Sequence, residues 1–191
     1  PYASVEGATV ENGVIHVRRR RHQVRFGGFR QRPVVSLNRG FSAPVTLSVA
    51  QKNEDRIFLA RHDDDLYCRW QALNTLFTEA LITAFRQCRG GKAPKFGAGM
   101  VALAGAIAGD ETLEPAYRAL ALTLPGEADV AREIGSNIDP DAILEAREAL
   151  VSAIAIANSE TFAELHERLS DDAPFSPDAA SAGRRALRNV L

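Results

Sequence analysis

The chain has 191 residues, of which 46% are hydrophobic and 25% are charged, and its formal net charge at pH 7 is −1. These values predict a globular protein of ordinary composition with room for one large domain or two small ones. The near-neutral charge argues against an acidic halophilic protein and against binding of nucleic acid through overall charge.

Charge is divided unevenly along the chain. Residues 1–50 contain eight Arg, no Lys and two acidic residues, whereas residues 51–191 contain fifteen basic and twenty-two acidic residues. The first segment therefore has a net charge of +6 and the second a net charge of −7. Two segments of opposite sign indicate two modules, so we predict one domain over residues 1–50 and another over residues 51–191.

The first fifty residues have the pattern of β-structure. Runs of β-branched and aromatic residues flank a charged segment at residues 18–23, which predicts a hairpin. Two further runs are separated by Gly40 and Pro44. Four short strands without an intervening helix indicate part of an Ig-like β-sandwich. The predicted strands are residues 14–17, 24–26, 33–37 and 45–49.

From Asn53 onward the sequence predicts helices. Asp65 is placed to cap a long helix that ends near Cys88, before Gly90 and Gly91. Apolar residues recur along this helix at spacings of three and four, which predicts one buried face. The residues of that face are Leu66, Trp70, Leu73, Phe77, Leu81 and Phe85.

Caps and prolines mark the other helix starts. Asp139 precedes Pro140, Ser159 can cap the following helix, and Ser176 precedes Pro177. Consecutive helices joined by short loops predict an all-α solenoid of the HEAT or armadillo kind. The remaining predicted helices are residues 54–62, 95–108, 114–122, a helix opened by Pro125, and residues 140–157, 159–169 and 177–191.

Two cysteines and the hydropathy pattern bear on the compartment. Cys68 and Cys88 fall in one predicted helix, about 30 Å apart at ~1.5 Å per residue, which is too far for a disulfide. The start of the chain lacks a signal-peptide pattern, and the longest apolar run, residues 100–108, is shorter than the roughly 20 residues that span a bilayer. We therefore expect a cytoplasmic protein that does not bind membranes.

Two segments partly resemble metal sites. His166 and Glu167 begin an H-E-x-x-H zinc motif, but Ser170 stands where the second histidine ligand is required. Residues 63–65 are three aspartates without the glycine and distal glutamate of a calcium loop. We expect them to start a helix, with Asp65 pairing with Arg69 four residues later.

Three other segments resemble binding or catalytic motifs without the required context. Residues 97–102 fit G-x-G-x-x-A, but no strand precedes them, so close helix packing is expected. Residues 40–44 resemble a nucleophile elbow, but a predicted strand follows, which makes Ser42 a turn residue. Residues 18–21 are four arginines without interleaved aromatics, which indicates a solvated turn rather than a nucleic-acid site. We predict no catalytic residue, no cofactor site and no metal ligand in this chain.

Four stretches, taken together, resemble a known family. Residues 32–45 resemble the end of the β-sandwich domain of bacterial aminopeptidase N, a zinc metallopeptidase. Residues 58–63 followed by 69–72 resemble the start of its C-terminal helical domain. Residues 138–143 followed by 146–150, and residues 185–189, resemble later stretches of that domain. The order and approximate spacing are also those of the family, from about Val14 to the end of the chain.

This resemblance implies a part of a larger enzyme. The family's zinc domain carries H-E-x-x-H, a distant glutamate ligand and a G-x-M-E-N loop, and the only methionine here, Met100, is not in such a loop. The implied role is a non-catalytic scaffold whose helical part helps to enclose the active site, with zinc held elsewhere in the parent enzyme. The implied partners are the parent's other domains, and peptide substrates would bind only to the full-length enzyme.

Other functions remain open on the sequence alone. One is a free-standing helical-repeat module that binds a protein partner, and another is an arginine-rich nucleic-acid binder. A complete sandwich needs about seven strands, so four leave unpaired edges and an uncovered apolar face. We therefore expect self-association through residues 1–50, or abnormal packing of the β part on the chain's own helices. The predicted apolar face consists of Val14, Val17, Val24, Phe26, Val34, Leu37, Val45 and Leu47.

Overall fold

The computed structural model describes residues 4–11, 14–17, 19–41, 44–45, 47–170 and 174–191. The chain divides into two compact units, Pro1–Val35 and Ser36–Leu191. The first contains short strands and the second contains the helices.

The β unit has two small antiparallel sheets in its described residues. In one, β1 (Ser4–Glu6) pairs with β4 (Arg25–Gly27). In the other, β2 (Thr9–Glu11) pairs with β3 (Val14–His16), so that Val10 lies opposite Ile15. Short strands near the N-terminus were expected, but their pairing differs from the prediction.

The predicted hairpin between residues 14–17 and 24–26 is wrong, because β3 pairs with β2 and β4 pairs with β1. Only Asn12 and Gly13 separate β2 from β3 in the sequence. Asn-Gly is the strongest short-range hairpin signal, since both residues tolerate a positive φ. A two-residue connection costs less chain entropy to close than the longer charged segment that follows β3.

The strands predicted at residues 33–37 and 45–49 do not form in the described part of those segments, and Thr46 lies outside it. Pro33 has no backbone N–H to donate to a ladder. The carbonyl of Leu37 instead accepts a hydrogen bond from the Cys68 thiol, 3.4 Å away. Because this carbonyl is bound to a helix, it is not available for hydrogen bonding to a neighbouring strand.

The helical unit follows the predicted order. A short 3-10 turn at Arg39–Phe41 precedes the helices. The helices in the described residues are α1 (Asn53–His62), α2 (Leu66–Arg89), α3 (Ala98–Ala108), α4 (Pro115–Leu122), α5 (Glu127–Ile134), α6 (Pro140–Ala157), α7 (Ser159–Arg168) and α8 (Ala179–Val190). None of them combines the length and the apolar character that crossing a bilayer requires.

Several helix starts or caps differ from the prediction. The fifth helix begins at Glu127, with Gly126 at the N-cap position, rather than at Pro125. The third helix begins at Ala98 rather than at residue 95, because Gly97 is extended and occupies the N-cap position. Asn158 rather than Ser159 precedes α7, and Asp178 rather than Ser176 caps α8 by accepting from the Ser181 backbone N–H. Asp178 lies two residues after Ser176, and both residue types are favourable at an N-cap, so the sequence offered two possible starts for α8.

The core of the helical unit is built around α2. Leu73, Phe77 and Leu81 are each 1% exposed, as the predicted apolar face requires. Leu66, the first residue of the helix, was predicted on the buried face but is 48% exposed. The helix α2 contacts α1, α5 and α6. Burial of each large apolar side chain contributes about 1.5–3 kcal/mol, so this face supplies much of the stability.

Candidate functional site

Two segments that the sequence singled out separately lie together in the helical unit. The 3-10 turn at Arg39–Phe41 lies against the junction between α1 and α2. The first helix ends at His62, and Asp65 caps the second by accepting from the Cys68 backbone N–H at 3.0 Å. The three aspartates between these helices therefore face a turn that carries an arginine.

We call Arg39, Gly40, Asp63, Asp64 and Asp65 the acidic bracket. One guanidinium nitrogen of Arg39 donates to Asp63 Oδ1 at 2.9 Å, and another donates to Asp64 Oδ1. The backbone N–H of Gly40 donates to Asp65 Oδ2 at 2.6 Å. The backbone N–H of Asp65 donates to Asp63 Oδ1 at 2.9 Å. All three carboxylates thus bind donors inside the bracket.

The two ion pairs of the bracket differ in burial. The side chain of Asp63 is 1% exposed and that of Asp64 is 84% exposed. The hydrogen bond between Arg39 and Asp64 raises the pKa of the arginine and lowers the pKa of the aspartate. Backbone N–H groups of Cys68 and then Gly40 lower the pKa of Asp65. The bracket therefore favours the ionised forms of Asp64 and Asp65, which suits a structural role and not proton transfer.

Further contacts attach the same turn to α2. The Cys68 thiol donates to the carbonyl of Leu37, and burial raises the pKa of this thiol, so that it stays protonated. The ring of Phe41 meets Tyr67 edge to face at 5.2 Å, and Tyr67 lies 5.9 Å from Trp70. A protonated, hydrogen-bonding thiol is a structural donor rather than a nucleophile.

The backbone of the turn is held in an uncommon conformation. Asn38 and Phe41 have φ values of 54° and 49°, and Gly40 has a φ of 63°. A left-handed conformation costs a non-glycine residue roughly 1–2 kcal/mol. Such conformations persist only where surrounding contacts determine them, and here the bracket and the aromatic contact provide these.

Buried arginines link the helix ends behind the bracket. Arg69 donates to the carbonyl of Ala60 at 3.0 Å and to Asp110 at 3.2 Å. Arg118 donates to the carbonyl of Ala108 at 2.9 Å. Both carbonyls lie in the last turn of a helix, where an intrahelical partner is lacking. Two buried cations therefore satisfy the ends of α1 and α3.

The predicted pair between Asp65 and Arg69 is wrong. Asp65 accepts from the backbone of Cys68 and of Gly40, while Arg69 reaches Ala60 and the loop after α3. Helical spacing allowed the predicted pair. Asp65 instead caps α2, and Arg69 binds a buried carbonyl that would otherwise lack a partner, and both interactions stabilise the fold more than an exposed ion pair would.

The other motifs lie apart from the bracket. His166 and Glu167 line a groove of about 390 Å³ beside Leu191 on the surface of α7. Met100 and Val101, from the G-x-G-x-x-A segment, are buried in the core at the start of α3. Arg19, Arg20 and Arg21 are exposed, whereas Arg18 and Ser42 lie outside the described residues. Within the described ranges, no three His, Cys, Asp or Glu side chains are grouped so as to hold a metal ion.

Short strands followed by an array of paired helices define a two-part protein with a β segment and a helical-repeat segment. Residues 2–50 match the family model described as "Domain of unknown function (DUF3458) Ig-like fold". Residues 53–191 match the model described as "Domain of unknown function (DUF3458_C) ARM repeats". Because the second match covers most of the chain, the chain belongs to this ARM-repeat family, and the predicted armadillo-like fold is confirmed.

Full-length relatives give the context of these domains. The chain is 40% identical over 169 residues to aminopeptidase N of Caulobacter vibrioides, covering 87% of this chain and 19% of that protein. It is 27% identical to aminopeptidase N of Escherichia coli, covering 97% of this chain and 21% of that protein. The crystal structure of Legionella pneumophila aminopeptidase A in complex with aspartic acid matches with a TM-score of 0.70 and 26% identity, over 96% of this chain and 23% of that one.

The chain therefore spans about a fifth of the length of the curated relatives it matches. The resemblance found in the sequence is confirmed: this chain is homologous to a segment of bacterial aminopeptidase N that contains an Ig-like part and ARM repeats.

Proposed function

We propose that this chain is a non-catalytic scaffold segment of a zinc aminopeptidase of the aminopeptidase N type, which removes N-terminal residues from peptides. Residues 1–50 form part of the sandwich that links domains, and residues 51–191 form the first part of the helical domain. The helical part helps to enclose the active site, and the parent enzyme holds the zinc and works in the cytoplasm. The observation that carries this proposal is the 40% identity to an aminopeptidase N over 87% of the chain.

The packing of the helical unit supports a wall-like role. Three of its buried polar side chains donate to backbone carbonyls of other helices: Arg69 to Ala60, Arg118 to Ala108 and Asn158 to Val101. Buried, paired polar groups hold helices in one arrangement. A wall that limits access and excludes water must keep its shape, and these bonds provide that rigidity.

A chimeric enzyme tests the scaffold role. The homologous segment of the Caulobacter aminopeptidase N is replaced by this chain, and zinc content and hydrolysis of an aminoacyl chromogenic substrate are measured. We expect full zinc occupancy and a kcat/KM within about tenfold of the natural enzyme, a difference of about 1.4 kcal/mol. The control carries Leu150→Asp, which places a charge at a position with 0% exposure and should abolish folding.

A folded, zinc-loaded chimera without activity would contradict the scaffold role. Enclosure is tested separately in the active chimera by comparing a tripeptide with a peptide of about thirty residues that has the same N-terminus, since a walled site admits small ligands preferentially. Equal rates on both peptides would show that the helical part does not enclose the site.

The isolated chain tests the non-catalytic assignment. Catalytic zinc needs three protein ligands, so the purified chain should bind no stoichiometric zinc and leave the chromogenic substrate intact. One tightly held zinc per chain, with activity that a chelator abolishes, would overturn the assignment.

A further inference from the structure

Two divisions of this chain disagree about a short segment. The Ig-like family model extends to residue 50, whereas the compact helical unit begins at Ser36. Residues 36–41 therefore belong to the β part by sequence and to the helical unit by packing.

The acidic bracket explains the packing of this segment. Arg39 binds Asp63, the Gly40 N–H binds Asp65, and the carbonyl of Leu37 binds Cys68. All of these helical partners lie within one short stretch at the α1–α2 junction. The contacts join residues more than twenty positions apart in the chain, so local propensity does not produce them.

The two arms of Arg39 are unequal. Asp63 is almost fully buried, so removal of its cation would leave an uncompensated charge in the protein interior. Asp64 is largely exposed, and water and salt screen its pair with Arg39. Of the two ion pairs, the Arg39–Asp63 pair is therefore the one that holds residues 37–41 against the helices.

We propose that the acidic bracket is a fixed joint, in which Arg39 and Asp63 make residues 37–41 part of the helical unit. These residues then open and close with α1 and α2, although the Ig-like family match extends to residue 50. This inference rests on the contacts of the described residues and does not depend on the proposed function.

Hydrogen exchange of the intact chain tests the joint. The amides of Gly40 and Phe41 are hydrogen-bonded, to Asp65 Oδ2 and to the Asn38 carbonyl, and report on the turn directly. In Arg39→Gln we expect both amides to exchange at least about tenfold faster, while core amides of α2 keep their protection, as for local opening. Arg39→Lys keeps the charge and should restore part of the protection.

The matched control is Asp64→Asn, which removes the exposed ion pair between Arg39 and Asp64. It should change the exchange rates of the Gly40 and Phe41 amides by less than about threefold. Unchanged exchange in Arg39→Gln would overturn the joint. So would an equal loss of protection throughout α2, or unfolding of the variant, because the bracket would then belong to the global fold. Gly40 and Phe41 amides that exchange in the unmodified chain as fast as in an unfolded peptide would also refute it.

Discussion

At the scale of single residues, Asn158 joins three helices. It lies between α6 and α7 and is 9% exposed. Its side-chain amide donates to the carbonyl of Ile154 at 2.8 Å and to the carbonyl of Val101 on α3 at 3.0 Å. The contact needs a glycine on α3, because a Cβ at Gly105 would lie 2.1 Å from Asn158 Oδ1.

Gly105→Ala should therefore destabilise the chain although alanine favours a helix. The added methyl displaces Asn158 and leaves buried polar groups unpaired, a cost of about 1–3 kcal/mol that exceeds the gain of roughly 1 kcal/mol in helix propensity. Chemical denaturation measures the difference. The control is Gly109→Ala, where the nearest atoms to a Cβ are at 3.4 Å or beyond. Equal stability of the two variants would contradict the role of Asn158.

Tyr117 offers a second residue-scale test. Its hydroxyl donates to the carbonyl of Leu66 at 3.0 Å, and burial, offset by the nearby charge of Arg69, raises its pKa to about 12. A raised tyrosine pKa means that the folded state retains the proton above pH 10, so stability falls as pH rises from about 10 to 12.

Ultraviolet titration should show a tyrosinate that forms only near pH 12 in the unmodified chain. Tyr117→Phe should remove this late step and make the free energy of unfolding less sensitive to alkaline pH. A late step that persists in the variant would assign it to another tyrosine.

At the scale of elements, helix boundaries follow from local signals. Asp65 and Asp139 were predicted as caps from the sequence, and both accept from the backbone N–H three residues on. The start of α8 was misplaced because Ser176 and Asp178 are both good caps. Ser176 instead donates to Asp178 and lowers its pKa, which makes the aspartate the better acceptor for the helix.

Several of the loop and cap carboxylates should make the helical unit sensitive to acid. Hydrogen bonds lower their pKa values from 3.8, so the stability they contribute is complete above about pH 4 and is lost as pH falls through their folded-state values. We expect the denaturation midpoint to be flat from pH 7 to 5 and to drop at pH 3. These residues are Asp64, Asp65, Asp110 and Asp178.

The contribution of Asp110 to this acid loss can be isolated. Thr112 and Arg69 hydrogen bond to this carboxylate, and Asp110→Asn removes its titration while keeping a side-chain acceptor. The variant should be less stable than the unmodified chain at pH 7 and should lose less stability between pH 5 and pH 3. An identical loss in both proteins would show that Asp110 is not one of the groups responsible.

At the scale of the whole molecule, the basic β part carries exposed apolar side chains. Val10, Val14, Val17 and Phe26 are 40%, 56%, 64% and 40% exposed. Exposed apolar side chains on short strands favour pairing with other chains. The net charge of +6 over residues 1–50 opposes contact between copies, and salt weakens this repulsion.

We therefore expect the intact chain to self-associate, and to do so more strongly at 0.5 M than at 0.05 M salt. Over this range the Debye length falls from about 14 Å at the lower to about 4 Å at the higher salt concentration. Light scattering measures the association. Shortened chains that begin at Ser36 or at Gln51 should stay monomeric and helical by circular dichroism, with the one from Ser36 more stable because it keeps the bracket. An intact chain that is monomeric at both salt concentrations would contradict this.

The sequence by itself determined the helices of this protein and their order. The apolar spacing along α2, the cap at Asp65 and the Asp139–Pro140 start act within a few residues, so the local sequence contains the whole interaction. The resemblance to aminopeptidase N was also readable there, because it consists of strings of residues in order.

Only the tertiary structure decided the pairing of β1 with β4 and the contacts of the acidic bracket. Residues 1–50 contain eight arginines, and nothing local distinguishes Arg39 from the others as the partner of Asp63. The same holds for Gly105 on α3 and Asn158 between α6 and α7, which come into contact only when α3 packs against these two helices. Contacts between residues far apart in the chain depend on which surfaces meet, and burial selects among chemically equivalent partners only after the helices have packed.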